Sequence, residues 1–223
     1  KGQVAPFDGQ MDADITLIAG QNDVTLKNSN KTVLNKVIGN EKDGTKYGIY
    51  ANKLGSMYGK NIKLISTTEG LGVRHEGLIR SSGDIEILSN GDITVGGVIS
   101  EKDIKLKGEG NLTTLNGSYK NSGIEYNYSI FSGDGVELDF KGDITLESFV
   151  KSDKTEIKIV AKNLTLKANS TAKILSQKGL SIKVTGTINL ETLLMPVMIG
   201  RDPSKPPLVV LKDSNGKIIV KDP

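Results

Sequence analysis

The chain has 223 residues, a net charge of +3, and neither Cys nor Trp. Because the charges are mixed along the sequence and not gathered in blocks, we expect no nucleic-acid partner, and the lack of Cys excludes disulfides and thiolate metal sites. Aromatic residues make up only 4% of the chain and Gly fills 26 positions, which predicts a core of branched aliphatic side chains and many tight turns.

The amino-terminal part contains short runs in which apolar and polar residues alternate. Two of these runs begin at Ile15 and Val24 and predict strands with one buried face. A hairpin is expected next, because the apolar residues 37–38 and 47–49 flank a Gly-containing turn at 39–44.

The clearest pattern is a repeat that runs from Gly83 to Leu115. Its unit is a Gly or polar residue, then Asp or Asn, then apolar, polar and apolar residues. Pairs of units recur about every 20 residues, and a third apolar spot follows each pair, which predicts a parallel β-helix whose coils stack about 4.8 Å apart. The predicted pairs begin at Ile15 and Val24, Ile62 and Leu71, Ile85 and Ile93, Ile104 and Leu112, Val136 and Ile144, Ile157 and Leu164, and Leu180 and Ile188.

The outward positions of the two strands form two columns that were not used to find the period. In the first column the charges alternate in sign, so Glu86 should lie between Lys63 and Lys105. The second column is rich in Thr, and Thr94 should lie beside Thr113. The columns are Thr16, Lys63, Glu86, Lys105, Glu137 and Lys158, and Thr25, Gly72, Thr94, Thr113, Thr145, Thr165 and Asn189.

The repeat lengthens between residues 118 and 131. Turn residues 120–123 precede an alternating run from Ile124 to Ile130, so we expect an extra-helical hairpin. Exposed aromatic rings stack on sugars or anchor partner surfaces, which makes this insertion the candidate contact for a surface glycan or protein; packing onto the rod is the alternative. The candidate contact residues are Tyr119, Tyr126, Tyr128 and Phe131.

Four prolines interrupt the pattern after residue 194, and residues 208–211 and 217–220 then flank a turn typical of a hairpin. This hairpin is expected to cap the open end of the helix or to begin the next module. Because the first residue is Lys1 and not Met, we expect a piece of a longer protein. The apolar runs are too short to span a membrane, so we expect this piece to be soluble, and we also expect it to be monomeric. The predicted division is 1–194, a β-helix with insertions near 28–50 and 118–131, and 195–223, a Pro-rich turn and hairpin.

The segment from Gly48 to Arg74 resembles the filamentous-haemagglutinin-like exoproteins of two-partner secretion. Its sequence GIYANKLGSMYGKNIKLISTTEGLGVR is similar to the LGGMYAxxIxLxxTExGVGV stretch near the end of that family's secretion and haemagglutination-activity domain. Residues 47–115 carry the resemblance, with Ser56 in place of the usual Gly. The family's Asn-Pro-Asn motif is missing, so we expect that this piece alone does not direct export.

The resemblance implies an all-β, right-handed parallel β-helix in a secreted or bacterial cell-surface protein. It also implies an outer-membrane two-partner secretion transporter as a partner of the full-length protein. The implied function is that of an adhesin-like rod that presents binding sites. The stalk of a contact-dependent growth inhibition protein is the alternative.

A polysaccharide-degrading β-helix enzyme is a third alternative, which would need several carboxylates converging on one face. The carboxylates here alternate with Lys, so we expect no enzyme, no catalytic residue, no metal and no cofactor. The single His75 is expected to be a solvated turn residue, and a Lys-rich stripe from Lys102 to Lys162 a solvated face interrupted by acids. The Asp residues at bends are expected to accept backbone hydrogen bonds; these are Asp84, Asp92, Asp103 and Asp143.

Overall fold

The computed structural model of the chain describes residues 11–20, 22–27, 31–36, 46–121, 124–167, 174–191, 209–212 and 218–221. These residues form strands and turns without a helix, which confirms the all-β class. In chain order the strands are β1 (Ile15–Ala19), β2 (Asn22–Lys27), β3 (Lys31–Lys36), β4 (Tyr47–Ala51), β5 (Met57–Gly59), β6 (Ile62–Ser66), β7 (Gly72–Ser81), β8 (Ile85–Ser89), β9 (Ile93–Ser100), β10 (Ile104–Gly108), β11 (Leu112–Thr114), β12 (Ser118–Asn121), β13 (Ile124–Asn127), β14 (Ser129–Ser132), β15 (Val136–Phe140), β16 (Ile144–Leu146), β17 (Phe149–Ser152), β18 (Ile157–Ala161), β19 (Leu164–Leu166), β20 (Ile174–Ser176), β21 (Leu180–Val184), β22 (Ile188–Leu190), β23 (Val209–Lys212) and β24 (Ile218–Lys221).

The main body is a parallel β-helix of about six coils, as the repeat predicts. Its first face is a seven-stranded sheet in the order β1-β6-β8-β10-β15-β18-β21. Each of these strands opens a coil, and we number the coils 1 to 7; the seven strands are separated by six full turns. A larger sheet bends to supply the second and third faces, because β7 and β9 each run through both. The second face contains β4, β11, β16, β19 and β22, and the third face contains β5, β14, β17 and β20.

The register of the first face confirms the predicted charge column. Glu86 pairs with Lys63 on one side and with Lys105 on the other, and its carboxylate forms an ion pair with Lys63. Two residues further along β10, Lys107 lies 2.9 Å from both Glu137 and Asp139, and hydrogen bonds to these two carboxylates raise the pKa of Lys107. Opposite charges therefore meet between neighbouring coils.

The Thr column of the second face is confirmed from Thr94 onward, through Thr113, Thr145 and Thr165. It is wrong in coil 2, where Arg74 and not Gly72 pairs with Thr94. The turn before β7 is longer than predicted: Gly70 adopts φ +77°, and the buried run begins at Val73. An alternating pattern gives the spacing within a strand but not the length of the turn before it.

The first interruption of the helix lies closer to the amino terminus than predicted. β2 and β3 form an antiparallel hairpin, so Val24 and Thr25 belong to this hairpin and not to the second face. The second-face strand of coil 1 is β4, which pairs with β7. Alternation alone cannot distinguish a parallel rung from an antiparallel hairpin strand. The predicted turn at 39–44 lies outside the described residues.

The other hairpins have the predicted antiparallel pairing. β12 pairs with β13 outside the coils, and β23 pairs with β24 near the carboxyl terminus. Where the structure describes them, the apolar spots predicted after the strand pairs form the third face; the spot predicted after the seventh pair, at 193–194, lies outside the described residues. Its inward stack is Met57, Ile79, Val98, Ile130, Val150 and Ile174.

A ladder of buried Ser residues, which the sequence reasoning missed, closes coils 2 to 6 where the third face turns into the first; Gly59 occupies this position in coil 1. Ser100 has no exposed surface, and its hydroxyl accepts a hydrogen bond from Lys102 N–H at 2.9 Å and donates one to the Gly83 carbonyl. The hydroxyl thus satisfies two backbone groups in a tight turn. A Ser four or five residues before each first-face strand from β8 onward was the available sequence signal. The ladder contains Ser81, Ser100, Ser132, Ser152 and Ser176.

Asx residues form similar ladders at two other bends, which confirms the predicted backbone hydrogen bonds for Asp84, Asp92 and Asp103; Asp143 accepts instead from the Asn163 side-chain amide at 2.7 Å. Asp92 accepts a hydrogen bond from Asn111 N–H at 2.7 Å, and Asn111 accepts one from Asp143 N–H at 2.8 Å. Before the first face, Asp84 Oδ1 accepts one from Asp103 N–H at 3.2 Å. These side chains hold one coil against the next.

His75 is buried, and its prediction as a solvated turn residue is wrong. The side chain is 1% exposed, and its backbone pairs with Ala51 and Val95 in the neighbouring coils. Burial lowers its pKa, and Nδ1 has no hydrogen-bond partner among the described atoms. The strand pairing is irregular between His75 and Leu78, so the corner between the second and third faces comes after His75. The imidazole therefore lies inside the coil.

Replacing Ser100 with Ala tests the Ser ladder. The substitution leaves the buried Lys102 N–H without its acceptor, so we expect the free energy of unfolding to fall by about 1–3 kcal/mol. Urea titration followed by circular dichroism measures the loss. Ser181→Ala is the matched control, because Ser181 is exposed on the first face and should change stability little. Equal stability of the two variants would contradict a structural role for the ladder.

The buried His75 predicts acid destabilisation. The chain has a single His, and its folded-state pKa lies below the ordinary value of about 6.5. As the pH falls below about 6.5, the His75 side chain of the unfolded chain takes up a proton and that of the folded chain does not, so the free energy of unfolding decreases. Unfolding free energies between pH 7.5 and 5.5 should therefore decline in the parent protein and much less in His75→Leu. Parallel pH profiles of the two proteins would refute this assignment.

Candidate functional site

The predicted contact hairpin leaves the rod in coil 4, at the corner between the second and third faces. It consists of β12 and β13, with Ser118 paired to Asn127 and Tyr119 to Tyr126 in backbone register. The Ser118 hydroxyl donates a hydrogen bond to the Glu125 carboxylate across the base of the hairpin. The register therefore places two of the four predicted aromatic residues opposite each other on the hairpin.

The hairpin is shorter than the alternating run from Ile124 to Ile130 suggests. Ile130 has no exposed surface and pairs with Val98, so it belongs to the third face of the rod. Phe131 lies next to it in β14, and Lys151 Nζ is 4.9 Å from the centre of the Phe131 ring. Phe131 thus occupies an outward, half-buried position on the rod, beside a cation.

Tyr128 lies at the root of the hairpin and packs onto the rod. It is 3% exposed, and burial raises the pKa of its phenol. Its backbone N–H donates to the Gly117 carbonyl at 2.8 Å. A methyl group added at Gly97 or Gly117 would come within 3.3 and 3.1 Å of the ring. These two glycines make room for Tyr128, which fixes the hairpin to its corner.

The same corner in coils 1 to 3 is built from closely stacked backbone. A Cβ at Gly77 would lie 1.8 Å from the Gly55 carbonyl oxygen, and one at Gly96 would lie 2.4 Å from the Glu76 carbonyl oxygen. Only residues without a side chain allow the corners to approach so closely. The hairpin of coil 4 thus emerges above three tight, glycine-lined corners.

A cluster of aromatic and charged side chains lies on the outward side of the second face in coils 1 and 2, and the sequence reasoning missed it. The rings of Tyr47 and Tyr50 stack with centroids 6.4 Å apart. The Arg74 guanidinium lies 5.7 Å from the centre of the Tyr47 ring, and its Nε donates to Glu76 at 2.6 Å. Hydrogen bonds to Tyr47 and Glu76 raise the pKa of Arg74. Tyr50 is 60% exposed.

Several lysines of the predicted basic stripe are paired with acids. Lys154 lies 3.1 Å from Asp134, Lys151 lies 2.7 Å from Asp153, and Lys158 lies 2.8 Å from Glu156. Within the described ranges, no group of three or more His, Asp or Glu residues is arranged to hold a metal ion. No described residue belongs to a helix that could span a membrane.

Comparison with known proteins shows which proteins part of this chain is similar to. Residues 2–100 match the TPS secretion domain family. The chain is 36% identical over 113 residues to "Protein adenylyltransferase and cysteine protease IbpA" of Histophilus somni, a match that covers 47% of this chain. It is 33% identical over 111 residues, 49% of its length, to "Filamentous hemagglutinin" of Bordetella pertussis.

A further relative is "tRNA nuclease CdiA" of Escherichia coli, 31% identical over 125 residues or 56% of this chain. These relatives are much longer proteins, of which the matches cover only 3% to 4%. No solved structure matches the chain. The match over residues 2–100 and these relatives make the chain similar to the filamentous-haemagglutinin-like exoproteins of two-partner secretion, which are secreted or cell-surface proteins.

Proposed function

We propose that this chain is a structural and adhesive segment of a large exoprotein, a rod that presents the hairpin β12–β13 to a partner surface. The observation that carries the proposal is the position of that hairpin. It leaves a regular β-helix at a corner, with Tyr119 and Tyr126 paired in register and with its root held by the buried Tyr128.

The rod supports this function mechanically. Each coil is stabilised by its neighbours, and the Ser ladder, the Asx ladders and the alternating charges connect each coil to the next one. A hairpin fixed to such a rod keeps its orientation, which lowers the entropy cost of binding.

The proposed contacts are the aromatic residues at and around the hairpin. Tyr119 and Tyr126 are the contact residues on the hairpin itself, and Phe131 extends the surface onto the third face. Tyr128, buried at 3% exposure, acts as the anchor of the hairpin. The partner is a glycan or protein on a host or neighbouring cell, because aromatic side chains both stack on sugar rings and anchor protein interfaces.

The second candidate function is the stalk of a contact-dependent growth inhibition protein. The similarity to "tRNA nuclease CdiA" favours it, and a rod without a binding site of its own would meet its needs. In this case the chain holds a distal domain away from the cell, and the hairpin only packs against the coils.

We propose no catalytic role for the rod. Glu86 forms an ion pair with Lys63, and Glu137 and Asp139 share Lys107, so these acids stabilise the first face. Export is proposed to depend on an outer-membrane transporter, which the TPS secretion domain match over residues 2–100 implies.

Shortening the hairpin tests the adhesive function. Because Ser118 and Asn127 are backbone partners, residues 119–126 can be replaced by Gly-Gly, which makes a two-residue turn. We expect the purified variant to keep its circular dichroism spectrum and urea midpoint. Its binding to epithelial cells or erythrocytes, measured by flow cytometry with labelled protein, should fall at least about tenfold.

The control for this experiment is Tyr58→Ala, which removes an aromatic side chain from the third face of coil 1 and leaves the hairpin intact. It should bind cells as the parent chain does. Undiminished binding by the shortened variant would refute the hairpin as the contact. Failure of the parent chain to bind any cell would refute the adhesive function and favour the stalk.

A further inference from the structure

The aromatic and charged cluster in coils 1 and 2 has the features of a binding platform. Tyr50 leaves 60% of its surface exposed, and its ring is backed by Tyr47, with an angle of 27° between the two planes. Tyr47 in turn lies under the Arg74 guanidinium, 5.7 Å from its ring centre. The exposed ring is thus held in place before any ligand arrives, which reduces the entropy cost of stacking on it.

The polar groups of this cluster are also fixed. Arg74 donates from Nε to Glu76 at 2.6 Å and from Nη1 to the Tyr47 hydroxyl at 3.4 Å. The Arg74 and Glu76 side chains retain exposures of 31% and 15%. A guanidinium has five N–H donors and a carboxylate accepts several hydrogen bonds. Arg74 and Glu76 thus offer hydrogen-bond donors and acceptors beside the Tyr50 ring, and their opposite charges cancel.

Beyond Arg74, the outward row that continues from the cluster carries no charge. Tyr50 pairs with Arg74, Arg74 with Thr94, and Thr94 with Thr113, and Thr145 and Thr165 extend the row. Successive side chains lie about 4.8 Å apart. The first face, by comparison, carries alternating Lys and Glu. The second face therefore matches a neutral, hydroxyl-rich chain better than a charged one.

We propose that Tyr50, Tyr47, Arg74 and Glu76 form a binding site for a neutral, extended β-1,4-linked oligosaccharide. A pyranose ring presents an apolar C–H face that stacks on the open face of Tyr50. Its equatorial hydroxyls reach Arg74 and Glu76, and the following sugars run along the hydroxyl groups of Thr113 and Thr145. The repeat of such a glycan is close to the coil spacing, so each sugar meets an equivalent position. This site is separate from the hairpin β12–β13 and stands whether or not that hairpin binds.

Isothermal titration calorimetry with the whole 223-residue chain tests the proposal. The probes are cellohexaose and chitohexaose as neutral β-1,4-linked chains, and a heparin-derived hexasaccharide as a polyanionic comparison. We expect at least one neutral probe to bind and the heparin probe not to compete with it. Tyr50→Ala should weaken the binding about tenfold or more, whereas Tyr50→Phe, which keeps the ring, should bind almost as the parent does.

Tyr58→Ala is the matched control, because it removes the same type of side chain from the same coil but from the third face. It should leave the affinity unchanged, and circular dichroism should show that all variants fold. The proposal is overturned if neither neutral probe binds, or if Tyr50→Ala binds as well as the parent. It is also overturned if Tyr50→Ala abolishes cell binding that neither neutral probe inhibits, since the partner of this surface would then be a protein.

Discussion

Parallel pairing between successive coils places each residue against its counterpart one coil away, and the rest of the structure depends on this constraint. An apolar position becomes an aliphatic stack, but a polar position inside a turn is also repeated and must be satisfied in every coil. The Ser ladder solves this problem because each hydroxyl both donates and accepts, as Ser100 does between Gly83 and Lys102. The Asx ladders work in the same way, with Asp92 accepting from the next coil.

The same constraint decides where extra residues can go. An insertion within a face would disrupt the pairing of that strand with both neighbouring coils, so surplus chain leaves the rod at a corner. The hairpin β2–β3 leaves after β1, and β12–β13 leaves after β11. Each exit needs an anchor, and Tyr128 supplies one by packing against Gly97 and Gly117. The corners therefore determine which parts of the chain project from the rod.

Much of the rod could be predicted because two independent columns agree on one register. Glu86 and Thr94 were placed by the apolar repeat, the charge alternation and the Thr recurrence supported that register, and both residues have the expected partners. The prediction was wrong at Val24, Gly72 and His75, where the chain departs from the repeat. Alternation does not reveal strand direction, turn length or a shift such as the one after His75, since these depend on contacts with neighbouring coils.

The aromatic cluster could not be predicted, because its members come together only through the corrected register. Tyr50 meets Arg74 only if β4 is the second-face strand of coil 1 and if Val73, two residues after the predicted Leu71, is the partner of Ile93. The strands that depart from the predicted repeat, β4 and β7, are thus the ones that bring Tyr50, Arg74 and Glu76 together on one face. In coils 5 and 6 the described strands follow the repeat closely, and their outward charges are engaged in ion pairs. Function in this rod is accordingly expected in coils 1 to 4, where regular stacking is interrupted and side chains are released from purely structural contacts.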